Sequence, residues 1–158
     1  MLTEQLFDFL AASPSCYHAV RAISDRLIAD GYTQLREQDA WTLTPGGKYF
    51  TARNGSSLIA FRVPEGAPAG FLMAAAHTDS PTFKIKHNPE KKAGPYVQLT
   101  TEKYGGMLMN TWFDRPLSIA GRVITAKDGA LQTALVDLDR DLAVIPSVAI
   151  HMNRAAND

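Results

Sequence analysis

One uninterrupted apolar run, FLMAAA at Phe71–Ala76, constrains the fold of this chain more than any other feature. Its residues do not alternate between apolar and polar, so a strand formed here has no face suited to water. Such strands are covered on both faces, as in a sheet flanked by helices, and the alanines allow helices to approach closely. The run therefore predicts an α/β fold with a buried central strand.

Two amphipathic helices are predicted ahead of this run. Apolar residues of the first recur at helical spacing, at Leu2, Leu6, Phe9 and Leu10. Ser13 and Pro14 then supply an N-cap and a first-turn proline for the second helix, which Gly31 ends. The second helix has one continuous apolar face, made of Cys16, Val20, Ile23 and Leu27. Cys16 is interpreted as a small core residue of this face rather than as a nucleophile.

Short β-like runs make up much of the remaining chain. Two of them, at 48–54 and 56–63, precede the apolar run. The segment 88–96 is charged and rich in turn residues, and no long helical period follows it, so it marks a boundary. Beyond it, Asp128-Gly129 lies between two β-like runs and predicts a tight hairpin. The sequence thus predicts an α/β part over 1–88 and a mainly β part over 89–158.

The charge balance excludes several classes of function. Sixteen basic residues offset sixteen acidic ones, so the zero net charge leaves no electrostatic footprint for nucleic acid or for an anionic membrane. No window approaches the roughly 18 apolar residues that a membrane span requires. The lone Cys16 cannot form an internal disulfide. A reducing cytoplasm is therefore the expected location.

His77 and Asp79 stand where the apolar run ends, ahead of a Ser-Pro turn. In open α/β sheets, sites form beyond the carboxyl ends of the strands. A neutral imidazole binds zinc and similar metals, and a carboxylate bonded to its second ring nitrogen fixes the tautomer. Taken alone, the tripeptide also fits a hydrogen-bonded edge histidine beside a turn-forming aspartate. The residues by themselves leave both interpretations open.

Several ordered blocks of the sequence resemble the M18 family of metalloaminopeptidases, whose best-known members are the aspartyl aminopeptidases. The blocks run along nearly the whole chain: FLAASPSCYHAV, LREQDAWTLTPGGKYF, YFTARNGSSLIAF, HTDSPTFKIK, YGGMLMNTWFDRPLSIAGRV and IPSVAIHMNR. A set of separate blocks in the same order makes a chance likeness improbable. The chain is identified on this basis as a member of the family.

The resemblance implies a binuclear metal-dependent aminopeptidase, with zinc as the usual metal and cobalt or manganese as alternatives. The expected fold is the start of a three-layer α/β/α catalytic domain of the zinc-aminopeptidase type. Carried over to this sequence, His77 is a metal ligand and Asp79 is the catalytic residue that orients it. The expected substrates are peptides, from which the enzyme removes an N-terminal residue, with a preference for Asp or Glu.

The resemblance also assigns a role to the later part of the chain. In the family, a β-rich insertion mediates dimerisation and helps to build a homo-oligomer, often a dodecamer, and residues 89–158 would begin that insertion. The family pattern suggests that His151 reaches the active site of a neighbouring protomer, close to the substrate carbonyl. A buried, hydrogen-bonded histidine at the end of an apolar strand would explain His151 equally simply.

A binuclear site needs further acidic ligands and another histidine, which the family carries in a later segment. These 158 residues are therefore expected to be the amino-terminal portion of a longer enzyme, inactive by themselves. One alternative is a non-catalytic assembly or interaction module that keeps the dimerisation surface. Another is a single-metal hydrolase that uses His77, His87 and one acid.

Overall fold

Two helices begin the computed structural model, which describes residues 1–155. Helix α1 spans Leu2–Ala11 and helix α2 spans Cys16–Ala29. The N-cap of α2 is Ser15, whose side chain accepts from the backbone N–H of His18, so the predicted cap at Ser13 was wrong by two positions. The predicted end at Gly31 is confirmed, because Gly31 has φ +80° and its N–H bonds the carbonyl of Ile28.

A three-stranded sheet follows α2 and contains the best-buried residues. Strands β1 (Thr33–Leu35), β2 (Lys48–Arg53) and β3 (Ser57–Arg62) lie in the order β1-β2-β3. β1 runs parallel to β2, and β2 runs antiparallel to β3. With a neighbour on each side, β2 is the central strand, and its Phe50 is fully buried. Together with Val20 of α2, which is 3% exposed, Phe50 forms the centre of the core.

Two antiparallel hairpins complete the regular strands. β4 (Thr82–Ala93) pairs with β5 (Tyr96–Tyr104), and β6 (Ala120–Lys127) pairs with β7 (Ala130–Asp137). The β6–β7 turn is Asp128-Gly129, with φ of 52° and 77°, which confirms the predicted tight hairpin. A short 3₁₀ helix, Met109–Trp112, lies between β5 and β6. Helices and sheets occur together, as the predicted α/β class requires.

The segment predicted as a charged, turn-rich boundary is largely strand. β4 continues through residues 88–93, with a register shift between Ile85 and Glu90 where Asn88 adopts φ 51°. A two-stranded ribbon leaves most of its side chains in water, so charged residues are compatible with its strands. His87 is an exposed residue of β4.

The chain packs into two compact units. The first contains Met1–Asp79 and Ala120–Asp137, and the second contains Ser80–Ile119 and the described residues from Leu138 to 155. The division into a catalytic part over 1–88 and an inserted part over 89–158 refers to the family's domains and stays a prediction. Residues 156–158, the last three of the range 89–158, lie outside the described residues.

The apolar run Phe71–Ala76, called the apolar segment below, is not a buried strand. It has no regular secondary structure, Phe71 is 92% exposed, and Leu72 is fully exposed. The prediction of a strand covered on both faces was wrong for this structure, because none of the sheets formed by residues 1–155 includes the segment. Among these residues, no helix is both long enough and apolar enough to cross a membrane.

Candidate functional site

His77 and Asp79 contact each other at the end of the apolar segment. The Nδ1 atom of His77 lies 2.7 Å from the backbone oxygen of Asp79 and 3.2 Å from its Oδ1. Both oxygens can only accept, so the geometry places the ring proton on Nδ1 and leaves the lone pair on Nε2. The His77 side chain is 79% exposed. Metal-binding imidazoles are commonly held in this way, with the second ring nitrogen bonded to a carbonyl or carboxylate oxygen; the role of His77 as a ligand stays a prediction.

Thr78 attaches this pair to the three-stranded sheet. Its hydroxyl donates to the backbone oxygen of Ser56 over 2.6 Å, across 22 positions of sequence. Ser56 belongs to the turn between β2 and β3, where Asn54 and Gly55 have φ of 53° and 64°. Sequence reasoning missed Thr78, although its place between the two candidate residues was a usable signal.

The β2–β3 turn is itself held from two directions. Arg53, which ends β2, makes a two-pronged ion pair with Glu37, with nitrogen–oxygen distances of 3.0 and 2.7 Å. The hydrogen bond from Arg53 lowers the pKa of Glu37 below its ordinary value of 4.5. On the other side, Nη1 of Arg122 in β6 donates to the backbone oxygen of Asn54 over 2.8 Å. The turn that supports Thr78 is therefore cross-linked to distant parts of the same unit.

His151 lies in the second unit, in an exposed turn. The turn is closed by a hydrogen bond of 2.8 Å from the N–H of Met152 to the oxygen of Ala149. The strand expected to end at His151 does not form: between Asp141 and Ile150 the pairing consists of isolated bridges at Ala143 and Ile145. Its role at a neighbouring active site stays a prediction.

Asp114 organises the loops of the second unit. Its Oδ1 accepts from the N–H of Ser147 over 2.9 Å, and its Oδ2 accepts from the Ser147 hydroxyl. These bonds, the hydroxyl first, hold the pKa of Asp114 below its ordinary value of 3.8. Asp114 has φ 55°, a conformation that a short polar side chain tolerates. Its carboxylate is used for local structure.

The donor set fits one metal ligand and no complete centre. Within residues 1–155, no three His, Cys, Asp or Glu side chains lie close enough together to hold an ion. His77 offers one nitrogen with a fixed tautomer, which suits zinc. Since a zinc site takes three or four protein ligands, His77 and Asp79 alone cannot complete one.

Comparisons with known proteins identify the family of the chain. Residues 9–158 match the family model described as aminopeptidase I zinc metalloprotease (M18). A probable M18 family aminopeptidase 2 of Pseudomonas paraeruginosa is 49% identical over 99% of this chain, and the chain spans 37% of that relative's length. A relative of the same description from Clostridium acetobutylicum is also 49% identical, over 98% of the chain and 37% of its own length.

Solved structures also match the chain over nearly its whole length. A structure of mApe1 from Chaetomium thermophilum matches with a TM-score of 0.88 and 40% identity, over 96% of this chain and 36% of that one. The S. cerevisiae mApe1 dodecamer matches with a TM-score of 0.82 and 30% identity, over 95% of this chain and 36% of that one. The chain belongs to the M18 family of aminopeptidases, the zinc metalloproteases of the aminopeptidase I type.

Proposed function

We propose that this chain is the N-terminal portion of a binuclear metal-dependent aminopeptidase that removes N-terminal residues from peptides. The observation that carries the proposal is the His77–Asp79 pair, in a chain that matches the M18 model over residues 9–158. A histidine whose Nδ1 is held by a carboxylate has its Nε2 lone pair available to a cation. This feature is the part of metallopeptidase chemistry that the chain itself supplies.

Each proposed residue has one role. His77 binds a metal ion through Nε2, and Asp79 keeps the ring in the Nδ1–H tautomer. When bound, two zinc ions, or cobalt or manganese in their place, would polarise the scissile carbonyl and acidify a water molecule. The remaining ligands come from other parts of the complete protein, since residues 1–155 gather no third side chain around His77. The isolated chain therefore does not hydrolyse peptides.

The proposed architecture is that of the M18 family. The first part of the chain would contribute to a three-layer α/β/α catalytic domain, in which the apolar segment becomes the covered strand that its sequence indicates. Residues 89–158 would begin a β-rich dimerisation domain. The S. cerevisiae relative was solved as a dodecamer, which supports a homo-oligomer for the complete enzyme. In that assembly His151 would contact the substrate in a neighbouring active site.

The proposed substrate is a peptide with an N-terminal Asp or Glu, hydrolysed in the cytoplasm. Neither nucleic acid nor membrane is a proposed partner, because sixteen basic and sixteen acidic residues leave no net charge to attract an anionic polymer or lipid surface. The alternative function is a non-catalytic assembly module. It is favoured by the absence of a three-residue metal cluster among residues 1–155.

The test compares metal content and turnover in the 158-residue chain and in the complete gene product that contains it. Plasma mass spectrometry gives the metal stoichiometry, and an N-terminal aspartyl chromogenic peptide reports hydrolysis. We expect metal and turnover in the complete protein, and neither in the chain alone. His77→Ala in the complete protein is expected to remove turnover, whereas His87→Ala, which changes an exposed histidine of β4, is expected to retain it.

Two outcomes would overturn the proposal. Full metal content and turnover in the complete protein after His77→Ala would exclude His77 as a ligand. A native product that ends at residue 158, binds no metal and co-purifies with a full-length relative would establish the assembly module instead.

A further inference from the structure

We propose that Thr78 is a positioning residue, whose hydroxyl fastens the His77–Asp79 pair to the β2–β3 turn and so sets the direction of His77 Nε2. The inference rests on the proposed function, in which His77 is a metal ligand. Thr78 itself touches neither the metal nor the substrate in this proposal. It acts through the backbone that carries both neighbours.

The hydrogen bonds between His77 and Asp79 lie within the tripeptide itself. His77 Nδ1 bonds both the backbone oxygen and the carboxylate of Asp79, two positions along the chain. These bonds fix the ring relative to residues 77–79, and they do not fix residues 77–79 relative to the sheet. The pair is also poorly packed, since the side chains of His77 and Asp79 are 79% and 44% exposed.

Thr78 supplies a long-range attachment at the centre of the tripeptide. Its bond to the Ser56 oxygen is 2.6 Å long and half-buried, which limits competition from water. A hydroxyl is required, because the acceptor is a carbonyl oxygen that needs a donor. Valine has the same branched shape without the donor, and serine keeps the donor without the methyl group.

The receiving turn is rigid enough to act as an anchor. The Ser56 N–H bonds the oxygen of Arg53 over 3.1 Å, which closes the turn, and the Glu37 ion pair holds Arg53. Arg122 bonds the oxygen of Asn54, and its guanidinium lies 4.2 Å from the ring centre of Tyr17 on α2. The turn that accepts the Thr78 hydrogen bond is therefore connected to α2, β2 and β6. Loss of the hydroxyl would let residues 77–79 pivot about their two ends.

The experiment measures zinc affinity of the complete gene product by competition with a chromogenic chelator, for Thr78→Val and Thr78→Ser. Removal of an outer hydrogen bond that orients a metal ligand weakens binding about 10–100-fold. We expect a loss of about that size for Thr78→Val. Thr78→Ser is expected to restore wild-type affinity, because serine can make the same bond. Thr111→Val is the matched control, since Thr111 donates a comparable bond of 2.7 Å to Leu108 in the second unit.

Melting temperatures of the metal-free proteins separate positioning from simple stability. A merely structural Thr78 would lower the melting temperature and leave the zinc affinity of the folded protein unchanged, which would overturn the inference. If Thr78→Val does not fold, Arg122→Met provides the second variant, because it releases the same turn from the opposite side. Arg122→Met is expected to weaken zinc binding less than Thr78→Val, and unchanged affinity in that variant would then overturn the inference.

The same titration of His77→Ala distinguishes failure of this inference from failure of the proposed function. Wild-type zinc affinity in His77→Ala would refute the proposed function, whatever Thr78→Val does. Lost affinity in His77→Ala, combined with wild-type affinity in Thr78→Val, would refute the positioning role alone.

Discussion

Strand β2 and the apolar segment differ in both their sequences and their neighbours. Both are short stretches of the first unit for which the sequence predicts a strand, but β2 (KYFTAR) mixes polar and apolar residues, whereas the apolar segment (FLMAAA) is wholly apolar. In β2, Phe50 is fully buried between β1 on one side and β3 on the other. In the apolar segment, Phe71 is 92% exposed, with no strand beside it in the described chain.

The difference shows what an apolar pattern encodes. The pattern indicates which environment a segment suits, and that environment has to be supplied by other parts of the chain. β2 receives its neighbours from residues 33–35 and 57–62, both close by in the chain. The apolar segment suits a two-sided cover that residues 1–155 do not provide. Its exposed surface is of the kind that marks an interaction site or an aggregation-prone region.

The largest test of this comparison is a pair of identical substitutions, Phe50→Ala and Phe71→Ala. Removal of a buried phenylalanine costs about 3–5 kcal/mol, because it leaves a cavity in the core. An exposed phenylalanine has no such packing to lose, and its replacement changes stability by less than about 0.5 kcal/mol. Urea unfolding of both variants, followed by far-UV circular dichroism, measures the difference. Equal losses in the two variants would mean that Phe71 is covered in solution.

Local signals could be predicted from the sequence. The end of α2 at Gly31 and the Asp128-Gly129 turn depend on positive φ values that glycine adopts freely. The local residues therefore determine these two features. The N-cap of α2 was missed by two positions because Ser13 and Ser15 are both good caps, and only the structure shows which one bonds the helix.

Features that depend on residues far apart in the sequence could not be predicted. The proximity of His77 and Asp79 followed from their spacing, but the bond from Thr78 to Ser56 spans 22 positions and leaves no periodic trace. The segment 88–96, predicted to be a charged, turn-rich boundary, is mostly strand because an exposed ribbon accepts charges that are also typical of loops. The sequence thus predicted the candidate pair and missed its support.

The second test addresses the exposure of the apolar segment directly. We expect the 158-residue chain to self-associate through Phe71, Leu72 and Met73, because burial of each large apolar side chain is worth about 1.5–3 kcal/mol. Leu72→Asp places a charge in that surface and is expected to shift the chain toward monomer in sedimentation velocity. Ala67→Asp adds the same charge in the preceding loop, at an exposed position, and is expected to leave association unchanged. A monomeric wild-type chain would refute the expectation.

A third, smaller effect concerns the turn that ends β2. Gly55 has φ +64°, and no atom lies within 4 Å of the position that a Cβ would take, so Gly55→Ala meets backbone strain and no steric clash. The expected loss is about 1 kcal/mol, the usual cost of the left-handed conformation for a residue with a Cβ. Gly66→Ala is the control, because Gly66 has equal space and no positive φ, and it is expected to be neutral or slightly stabilising. Chemical unfolding of the two variants in parallel measures both effects. Equal stability of the variants would show that the turn does not hold β2 against β3.

The smallest effect is the pH dependence of the same turn through Glu37. Arg53 lowers the pKa of Glu37 below 4.5, so the folded state favours the ionised carboxylate. The resulting stabilisation is present above pH 4.5 and disappears as the pH falls through the lowered pKa. Glu37→Gln is therefore expected to melt slightly below wild type at pH 7 and to converge with it in stronger acid. Glu65→Gln, which removes a carboxylate of the same unit without contacting Arg53, corrects for net charge. Parallel melting curves for wild type and Glu37→Gln across this range would show that the ion pair does not stabilise the β2–β3 turn, and that the packing around Phe50 holds β2 in place without it.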